Sequence, residues 1–367
     1  MKFIIERDVI IKEIQVAQEI ISSRTNMSIL SNVLLDAREN ELLIRATDLK
    51  VSFETTVPVD VQEPGTTTVF CDKFLGILRS LPSGEIEFEQ SGNENFVIRP
   101  MFKKIDFRLK SISAEKYPEI QVAADESYFD FPQEDLIEMI SQTVFAVSDD
   151  ETRYFMNGVY LEQVENSLVM VATDGRRLSY ISKELENAPP NFSGVIIPPK
   201  VLTLVRKLAS GEGPFSIAVT DKHVFFRFDN KRLSSALIEG QFPNYQRVIP
   251  EKQEHEIVIN KEELEEALKR VSLLVEKSRR IYINLSEDHL ELKSEETEIG
   301  IASEEIGCTY QGPEATIALN YLYLVEPLRV IDSDEISFNF TEPNKAITIY
   351  SIPKENYFHI VMPMQLD

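Results

Sequence analysis

The stretch KEELEEALKRVSLLVEKSRR, residues 261–280, carries the pattern that decides the fold. Its apolar residues recur at intervals of three and four, which places one apolar stripe along a helix: Leu264, Ala267, Leu268, Val271 and Leu274. DVIIKEIQVAQEIIS (8–22) and QEDLIEMISQTVFA (133–146) have the same spacing and an acidic residue near the start, where the helix dipole favours it. We therefore predict three similar helices, spaced about one third of the chain apart.

A second helix is predicted in each third, at DKFLGILRSL (72–81), PKVLTLVRKLAS (199–210) and LNYLYLVEPLRVI (319–331). Pro327 should kink or shorten the last of these helices. About eight short alternating or β-branched runs accompany each helix pair, including EIGIAS (298–303). The pattern predicts an α+β protein of three repeated domains, with boundaries at residues 1–124, 125–253 and 254–367.

Composition narrows the class of protein. The formal charge of −23 favours a solvated acidic surface, and 43% hydrophobic residues suffice for packed cores. The charged N-terminal residues do not form a signal peptide, and ATIALNYLYLV is too short for a span of about 20 residues. Cys71 and Cys308 match no metal or redox spacing. We expect a cytoplasmic protein without structural disulfides or a membrane partner.

No catalytic constellation stands out. The four histidines are unpaired in the sequence, and no phosphate-binding or nucleophile motif occurs. The acidic clusters SDDETR (148–153) and DSDE (332–335) lack the alternating spacing of a calcium loop, so solvated loops are the better interpretation. We predict no metal, no cofactor and no enzymatic activity, while a hydrolase with paired carboxylates and a β-rich assembly scaffold remain alternatives.

Charge is distributed unevenly along the chain. The six predicted helices sum to zero, so the other residues carry the whole of the −23. A neutral helical surface would tolerate a DNA duplex without holding it tightly, because tight binding scales with the number of phosphates neutralised. Ordinary helix faces with salt bridges are the alternative explanation.

Four motifs in register identify a family. ATDGRRL (172–178), RYFMNG (153–158), EGQFPNYQRVIP (239–250) and IVMPMQL (360–366), on a threefold repeat, resemble the bacterial sliding clamps, the DNA polymerase III beta subunits. MKFIIER (1–7) and ILSNVLL (29–35) resemble the same family. The resemblance implies a head-to-tail homodimeric ring with helices lining the bore. It also implies a non-enzymatic processivity factor for DNA replication, which encircles double-stranded DNA without sequence preference and tethers the replicative polymerase.

The resemblance further implies a pocket for short hydrophobic peptides of the polymerase subunit, the clamp loader and other proteins with a clamp-binding motif. The matching positions are Met156, Thr173, Gly175, Arg177, Leu178, Pro243, Arg247, Val248, Ile360, Met362, Pro363, Met364 and Leu366. Methionines adapt to several ligands, and the arginines would hold polar groups at the rim. The alternative is that residues 362–366 close the core of their own domain.

The remaining assignments concern DNA and the ring joint. The expected DNA-binding residues are Arg24, Lys73, Arg79, Arg153, Tyr154, Lys200, Arg206, Lys207 and Arg279, and Leu273 with Leu274 should meet the partner chain near Leu109. Departures from the family pattern are Asp149 and Asp150 beside a DNA loop, Ser272 at the joint, and Gln365 and Asp367 at the tail.

Overall fold

A computed structural model describes residues 1–21, 28–92, 95–185 and 192–366. The described residues contain six α-helices: α1 (Arg7–Ile20), α2 (Cys71–Ser80), α3 (Gln133–Thr143), α4 (Pro199–Leu208), α5 (Lys261–Val271) and α6 (Leu322–Leu328). Two helices therefore fall in each third of the chain, and the predicted α+β class with three repeated domains is confirmed.

The strands follow the same repeat. The described part of the first third contains β1 (Lys2–Glu6), β2 (Asn32–Arg38), β3 (Glu41–Thr47), β4 (Val51–Pro58), β5 (Asp60–Glu63), β6 (Gly65–Phe70), β7 (Glu85–Ser91), β8 (Asn95–Pro100) and β9 (Phe107–Ile112). The second third contains β10 (Tyr128–Asp130), β11 (Val159–Val164), β12 (Ser167–Thr173), β13 (Arg177–Glu184), β14 (Val195–Ile197), β15 (Phe215–Val219), β16 (His223–Phe228) and β17 (Lys231–Ala236). The last third contains β18 (His255–Asn260), β19 (Arg280–Ser286), β20 (His289–Ser294), β21 (Ser303–Gly307), β22 (Ala315–Asn320), β23 (Glu335–Phe340), β24 (Ile347–Ile352) and β25 (Tyr357–Val361).

The chain divides into two compact units. Unit 1 comprises Met1–Gln133 and Leu208–Leu237 and contains one 13-stranded sheet, in the order β10-β15-β16-β17-β4-β3-β2-β6-β9-β8-β7-β1-β5. Helices α1 and α2 pack together in this unit. An aromatic stack fills part of its core, with ring centroids 5.0 Å apart for Phe3–Phe88 and 5.7 Å apart for Phe88–Phe96.

Unit 2 comprises Glu134–Lys207 and Ile238–Asp367. It contains an eight-stranded sheet, β14-β11-β12-β13-β25-β24-β23-β18, and a four-stranded sheet, β21-β20-β19-β22. The pairing of β13 with β25 joins the middle third of the chain to its last strand. This ladder positions the candidate site described below.

Several helix ends differ from the sequence prediction. The side chain of Asn260 caps the start of helix α5 by accepting the Glu263 backbone N–H at 3.0 Å. The helix ends at Val271 and not at residue 280. A short 3₁₀ turn, Ser272–Leu274, follows it, and Arg280 already belongs to β19. The predicted continuation of the helix to residue 280 was therefore wrong, because a turn closed by the Arg279 N–H on the Glu276 carbonyl leads into the pairing of β19.

Helices α3 and α6 are also shorter than predicted. Helix α3 ends at Thr143, whose backbone leaves the helical region and whose hydroxyl donates to the Met139 carbonyl at 2.7 Å. Helix α6 has seven residues and contains Pro327, which confirms the predicted shortening.

One predicted strand is misplaced. EIGIAS does not form a strand, and the pairing partner of β20 is instead β21, five residues further on. Gly300 adopts a φ of +146° and bonds back to Thr297, so residues 297–300 form a turn and Ile299 is 75% exposed.

The charge of the helices also differs from the prediction. In chain order, the observed helices carry net charges of −1, +1, −3, +3, −1 and −1. Together they are weakly acidic and not neutral as predicted, although they are far less acidic than the whole chain.

Candidate peptide-binding site

The candidate site is built around the ladder between β13 and β25. Leu178 lies opposite Ile360, and Arg177 lies opposite Val361. The turn that precedes β13 and the tail that follows β25 therefore lie side by side, although they are far apart in the sequence.

Side-chain hydrogen bonds hold the turn at 173–177. The Thr173 hydroxyl accepts the Gly175 N–H at 3.1 Å and donates to the Arg177 carbonyl at 2.6 Å. Asp174 accepts the backbone N–H groups of Arg176 and Arg177. Gly175 has a φ of +88°, and a Cβ there would lie 2.8 Å from the Nη1 of Arg153. Glycine is therefore favoured both by its backbone angle and by the neighbouring side chain.

A buried hydrophobic cluster lies beneath the turn. It joins Leu178 and Ile360 to Phe242 and Tyr245 of the segment 239–250. The Phe242 ring stacks on Tyr160 at 4.8 Å, and the Tyr245 hydroxyl donates to Glu162 at 2.6 Å. These contacts fix the segment, while Val248 remains 52% exposed. Arg247 is also exposed, and Pro243 is half-buried.

The tail after Val361 crosses from one sheet to the other. The Met362 N–H donates to the Arg176 carbonyl, and the Met364 N–H donates to Ala318 of β22, both at 2.8 Å. Met362 is 43% exposed and Leu366 is 50% exposed, so these two side chains do not plug a core. The tail also takes part in strand pairing, because Met364 forms an isolated bridge with Ala318.

The structure thus brings three of the predicted segments together: 173–178, 243–248 and 360–366. Three predicted pocket residues, Met156, Leu178 and Ile360, are at most 5% exposed, and Leu178 with Ile360 forms the base of this region. The exposed apolar side chains above it are Val248, Met362 and Leu366, with Pro363 and Met364 partly exposed. An apolar surface of this kind, on a backbone held in place by hydrogen bonds, suits a short hydrophobic ligand.

Arg177 does not lie at the rim as the sequence suggested. It is 8% exposed, and its guanidinium donates to Asp174 at 3.1 Å, to the Phe145 carbonyl at 2.6 Å and to Glu326 of α6. The guanidinium also stacks over the Tyr323 ring, 4.7 Å from its centroid. Arg177 therefore ties the turn to α6, which the motif alone did not indicate.

Replacing Arg177 by alanine is expected to lower the free energy of unfolding by about 2 kcal/mol, because it leaves the half-buried carboxylates of Asp174 and Glu326 and the Phe145 carbonyl without their partner. Arg176→Ala is the matched control, since its side chain is exposed and the change should cost less than about 0.5 kcal/mol. Chemical denaturation of both variants measures the difference. Equal stability of the two variants would show that the buried network contributes nothing.

Arg153 and Tyr154 lie beside the candidate site. Arg153 contacts the position of Gly175, and the Tyr154 ring approaches Gly240, where a Cβ would lie 3.4 Å from it. Tyr154 is 53% exposed. Both residues were expected to contact DNA, and their position also lets them contact a peptide.

The acidic residues of this loop were expected to disturb a DNA contact. Asp150 instead caps the 3₁₀ turn Glu151–Met156 and pairs with Arg153 at 2.9 Å. Hydrogen bonds from Thr152 and Arg153 lower the pKa of Asp150 to about 2. Its charge is therefore paired within the loop, while Asp149 has no ion pair within the described ranges.

The other expected DNA-binding residues lie on exposed surfaces. Helix α4 carries exposed Lys200, Arg206 and Lys207 and no acidic residue, and α2 carries exposed Lys73 and Arg79. Lys73 also lies 3.4 Å from Asp72. Arg279 lies in a turn with a φ of +55°, and Arg24 falls outside the described residues.

At the expected ring joint, Leu273 is 80% exposed within the 3₁₀ turn that follows α5. Leu274 and Leu109 of β9 are each partly exposed, and Ser272 is partly buried beside them in the sequence.

Within the described residues, no group of three or more histidine, cysteine, aspartate or glutamate side chains is arranged to hold a metal ion. No helix in the described ranges is long and apolar enough to cross a membrane.

Models of three protein domains match nearly the whole chain. Residues 1–121 match the N-terminal domain of the DNA polymerase III beta subunit, residues 130–244 its central domain and residues 246–365 its C-terminal domain. The chain belongs to the DNA polymerase III beta subunit family, whose members are sliding clamps and not enzymes. The hydrolase and scaffold alternatives are thereby excluded.

Individual sliding clamps of other bacteria are similar to this chain over their whole lengths. The chain is 49% identical to the beta sliding clamp of Treponema pallidum and 30% identical to that of Escherichia coli K12, with 100% of each chain covered. The crystal structure of the sliding clamp of Pseudomonas aeruginosa bound to griselimycin has a TM-score of 0.94 at 29% identity. The sliding clamp of Bacillus subtilis has a TM-score of 0.94 at 28% identity, and both comparisons cover 100% of each chain.

Proposed function

We propose that two copies of this chain form a head-to-tail ring that encircles double-stranded DNA and tethers the replicative polymerase in the cytoplasm. The observation that carries the proposal is the β13–β25 ladder, which brings the exposed Met362 beside the turn at 173–177 and over a cluster that includes Tyr245. Val248 and Leu366 are exposed on the adjoining segments. We assign the three domains to residues 1–124, 125–253 and 254–367, and the family models end close to these limits.

The ring joint is proposed between β9 of one copy and β21 of its partner. Among the described residues, positions 107–110 of β9 pair with β8 on one side only, and β21 pairs with β20 only. Strand β9 carries Arg108 and Lys110, whereas β21 carries Glu304 and Glu305. Open edges of opposite charge suit antiparallel pairing between copies, with Leu109, Leu273 and Leu274 packed beside them.

The peptide site would receive linear hydrophobic segments of the polymerase subunit, the clamp loader and other clamp-binding proteins. Flexible methionines at 362 and 364 suit several such ligands at one site. The Arg153 guanidinium lies against Gly175 and, with Arg247 and Tyr154, supplies polar groups around the site. The exposed Gln365 contributes a neutral side chain to this rim.

DNA would be held by the closed ring and not by tight ionic contacts. The basic side chains on α2 and α4 attract phosphates, but the observed helices as a whole carry a slight negative charge. Weak attraction allows the ring to slide.

Once loaded on closed circular DNA by a clamp loader, the protein is expected to remain bound at high salt, because salt screens charges but does not open a ring. Cutting the circle should release it rapidly. Gel filtration of labelled protein with intact and linearised plasmid measures both. Equal loss from both DNA forms would contradict topological binding.

A further inference from the structure

The methionine side chains differ sharply in exposure. The chain has eight methionines, of which Met27 falls outside the described residues. The buried ones, each at most 5% exposed, are Met139, Met156 and Met170. Met101 is 48% exposed and Met362 is 43% exposed, while Met1 and Met364 are partly exposed. The candidate peptide site therefore contains one of the two most exposed methionines of the described chain, with a second, partly exposed one beside it.

The two cysteines are poor targets for oxidation by comparison. Cys71 is fully buried, and desolvation raises the pKa of its thiol to about 12. Cys308 is partly buried, and desolvation raises the pKa of its thiol to about 11. Because a peroxide attacks the thiolate, neither cysteine reacts readily near neutral pH. The exposed thioethers, which need no deprotonation, are therefore the more reactive sulfur groups.

The backbone holds Met362 on the surface of the candidate site. Its N–H donates to the Arg176 carbonyl at 2.8 Å, and it follows Val361, the fully buried end of β25. Two residues further on, the Met364 N–H donates to the Ala318 carbonyl, also at 2.8 Å. The segment is thus fixed at both ends, and the side chain of Met362 stays exposed until a ligand covers it.

Oxidation would change the chemistry of this surface. A peroxide transfers one oxygen to the thioether sulfur: the O–O bond breaks, an S–O bond forms, the sulfur is oxidised, and the other oxygen leaves as water or an alcohol. The sulfoxide is polar, so a hydrophobic peptide that covers it would take its oxygen out of water without offering a hydrogen bond.

We propose that Met362 is a site of reversible oxidation by peroxides, and that the sulfoxide releases peptides from the candidate site. The proposal rests on the peptide-binding function proposed above. The reverse step belongs to a methionine sulfoxide reductase, in which a dithiol becomes a disulfide and the oxygen leaves as water.

The first experiment ranks the methionines by reactivity. The full chain is treated with hydrogen peroxide, and mass spectrometry of its proteolytic peptides follows sulfoxide formation at each position. Met362 and Met101 are expected to be oxidised well before Met139 and Met170, because reaction follows exposure. Oxidation of Met362 no faster than that of the buried residues would overturn the proposal.

The second experiment measures the effect on binding. Fluorescence anisotropy with a labelled clamp-binding peptide that lacks methionine and cysteine is recorded after the peroxide has been removed by catalase. The oxidised chain is expected to bind about tenfold or more weakly, because a polar group is then buried at an apolar contact. Methionine sulfoxide reductase with dithiothreitol should restore the affinity, and circular dichroism should stay unchanged throughout.

Two variants assign the effect to one sulfur atom. Met101→Leu is the matched control, since it removes an equally exposed methionine outside the candidate site, and its affinity should fall on oxidation as in the parent chain. In Met362→Leu the ratio of the affinities before and after oxidation should become small, because leucine does not react. An equal loss in Met362→Leu would place the sensitive group elsewhere and overturn the proposal.

The untreated parent chain separates the two proposals. If it binds no peptide, the proposed peptide site is refuted, and the role of Met362 with it. If it binds the peptide and the oxidised chain binds equally well, the peptide site stands and only the proposed effect of oxidation is refuted.

Discussion

Leu273→Asp is expected to convert the dimer into a folded monomer. In the single chain Leu273 is 80% exposed, so the substitution costs little before association. In the proposed joint the same position would be covered by the partner, and a buried unpaired carboxylate would cost several kcal/mol, on the order of 3–5. Sedimentation at micromolar concentration should give about 42.0 kDa for the variant and twice that mass for the parent chain.

Leu49→Asp is the matched control for the ring joint. Leu49 is 58% exposed in the turn between β3 and β4, away from the proposed joint, and undergoes the same chemical change. The control should remain dimeric, and both variants should keep the circular dichroism of the parent chain. A parent chain that is already monomeric at this concentration would refute the closed ring.

A chain that ends at Val361 is expected to lose its affinity for a clamp-binding peptide of the polymerase by about a hundredfold or more, the range of binding hot spots. The truncation removes Met362 and Leu366, two of the exposed apolar side chains. It also removes two backbone hydrogen bonds, which should cost about 2 kcal/mol of stability in total. Fluorescence anisotropy with a labelled peptide measures the affinity, and chemical denaturation measures the stability.

A side-chain variant separates ligand contact from the loss of backbone bonds. The double variant Met362→Ser with Leu366→Ser keeps the backbone hydrogen bonds to Arg176 and Ala318 and should still weaken peptide binding strongly. Gln365→Ala, at an exposed polar position between them, should have a small effect. Full peptide affinity in the truncated chain would place the site elsewhere, and collapse of its fold would show that the tail is part of the core.

The repeat was predictable from the sequence because each helix must bury one apolar stripe, and the spacing of the apolar residues within a short segment shows that stripe. The helix ends were less predictable. The end of α3 depends on Thr143, and the end of α5 depends on where β19 begins to pair. Both depend on contacts outside the helix, which periodicity does not record.

The candidate site was likewise predictable only in part. Its segments could be named from motifs, but their exposure could not. Arg177 has its partner Glu326 in the last third of the chain, and the α6 turn that carries Glu326 belongs to no motif. Phe242 and Tyr245 lie within the motif EGQFPNYQRVIP. Their aromatic side chains were the sequence signal for the buried cluster, which the motif alone did not predict.

The 13-stranded sheet has a consequence for the order in which the protein folds during synthesis. Strand β4 from the first third pairs over its first five residues with β17, from Val51 opposite Ser235 to Thr55 opposite Lys231. A ribosome exposes β4 long before it has made β17, so the nascent first domain carries an open edge of alternating apolar residues. Unpaired edges of this kind invite aggregation. Slow translation between these two strands is therefore the step at which we expect the growing chain to depend most on a chaperone.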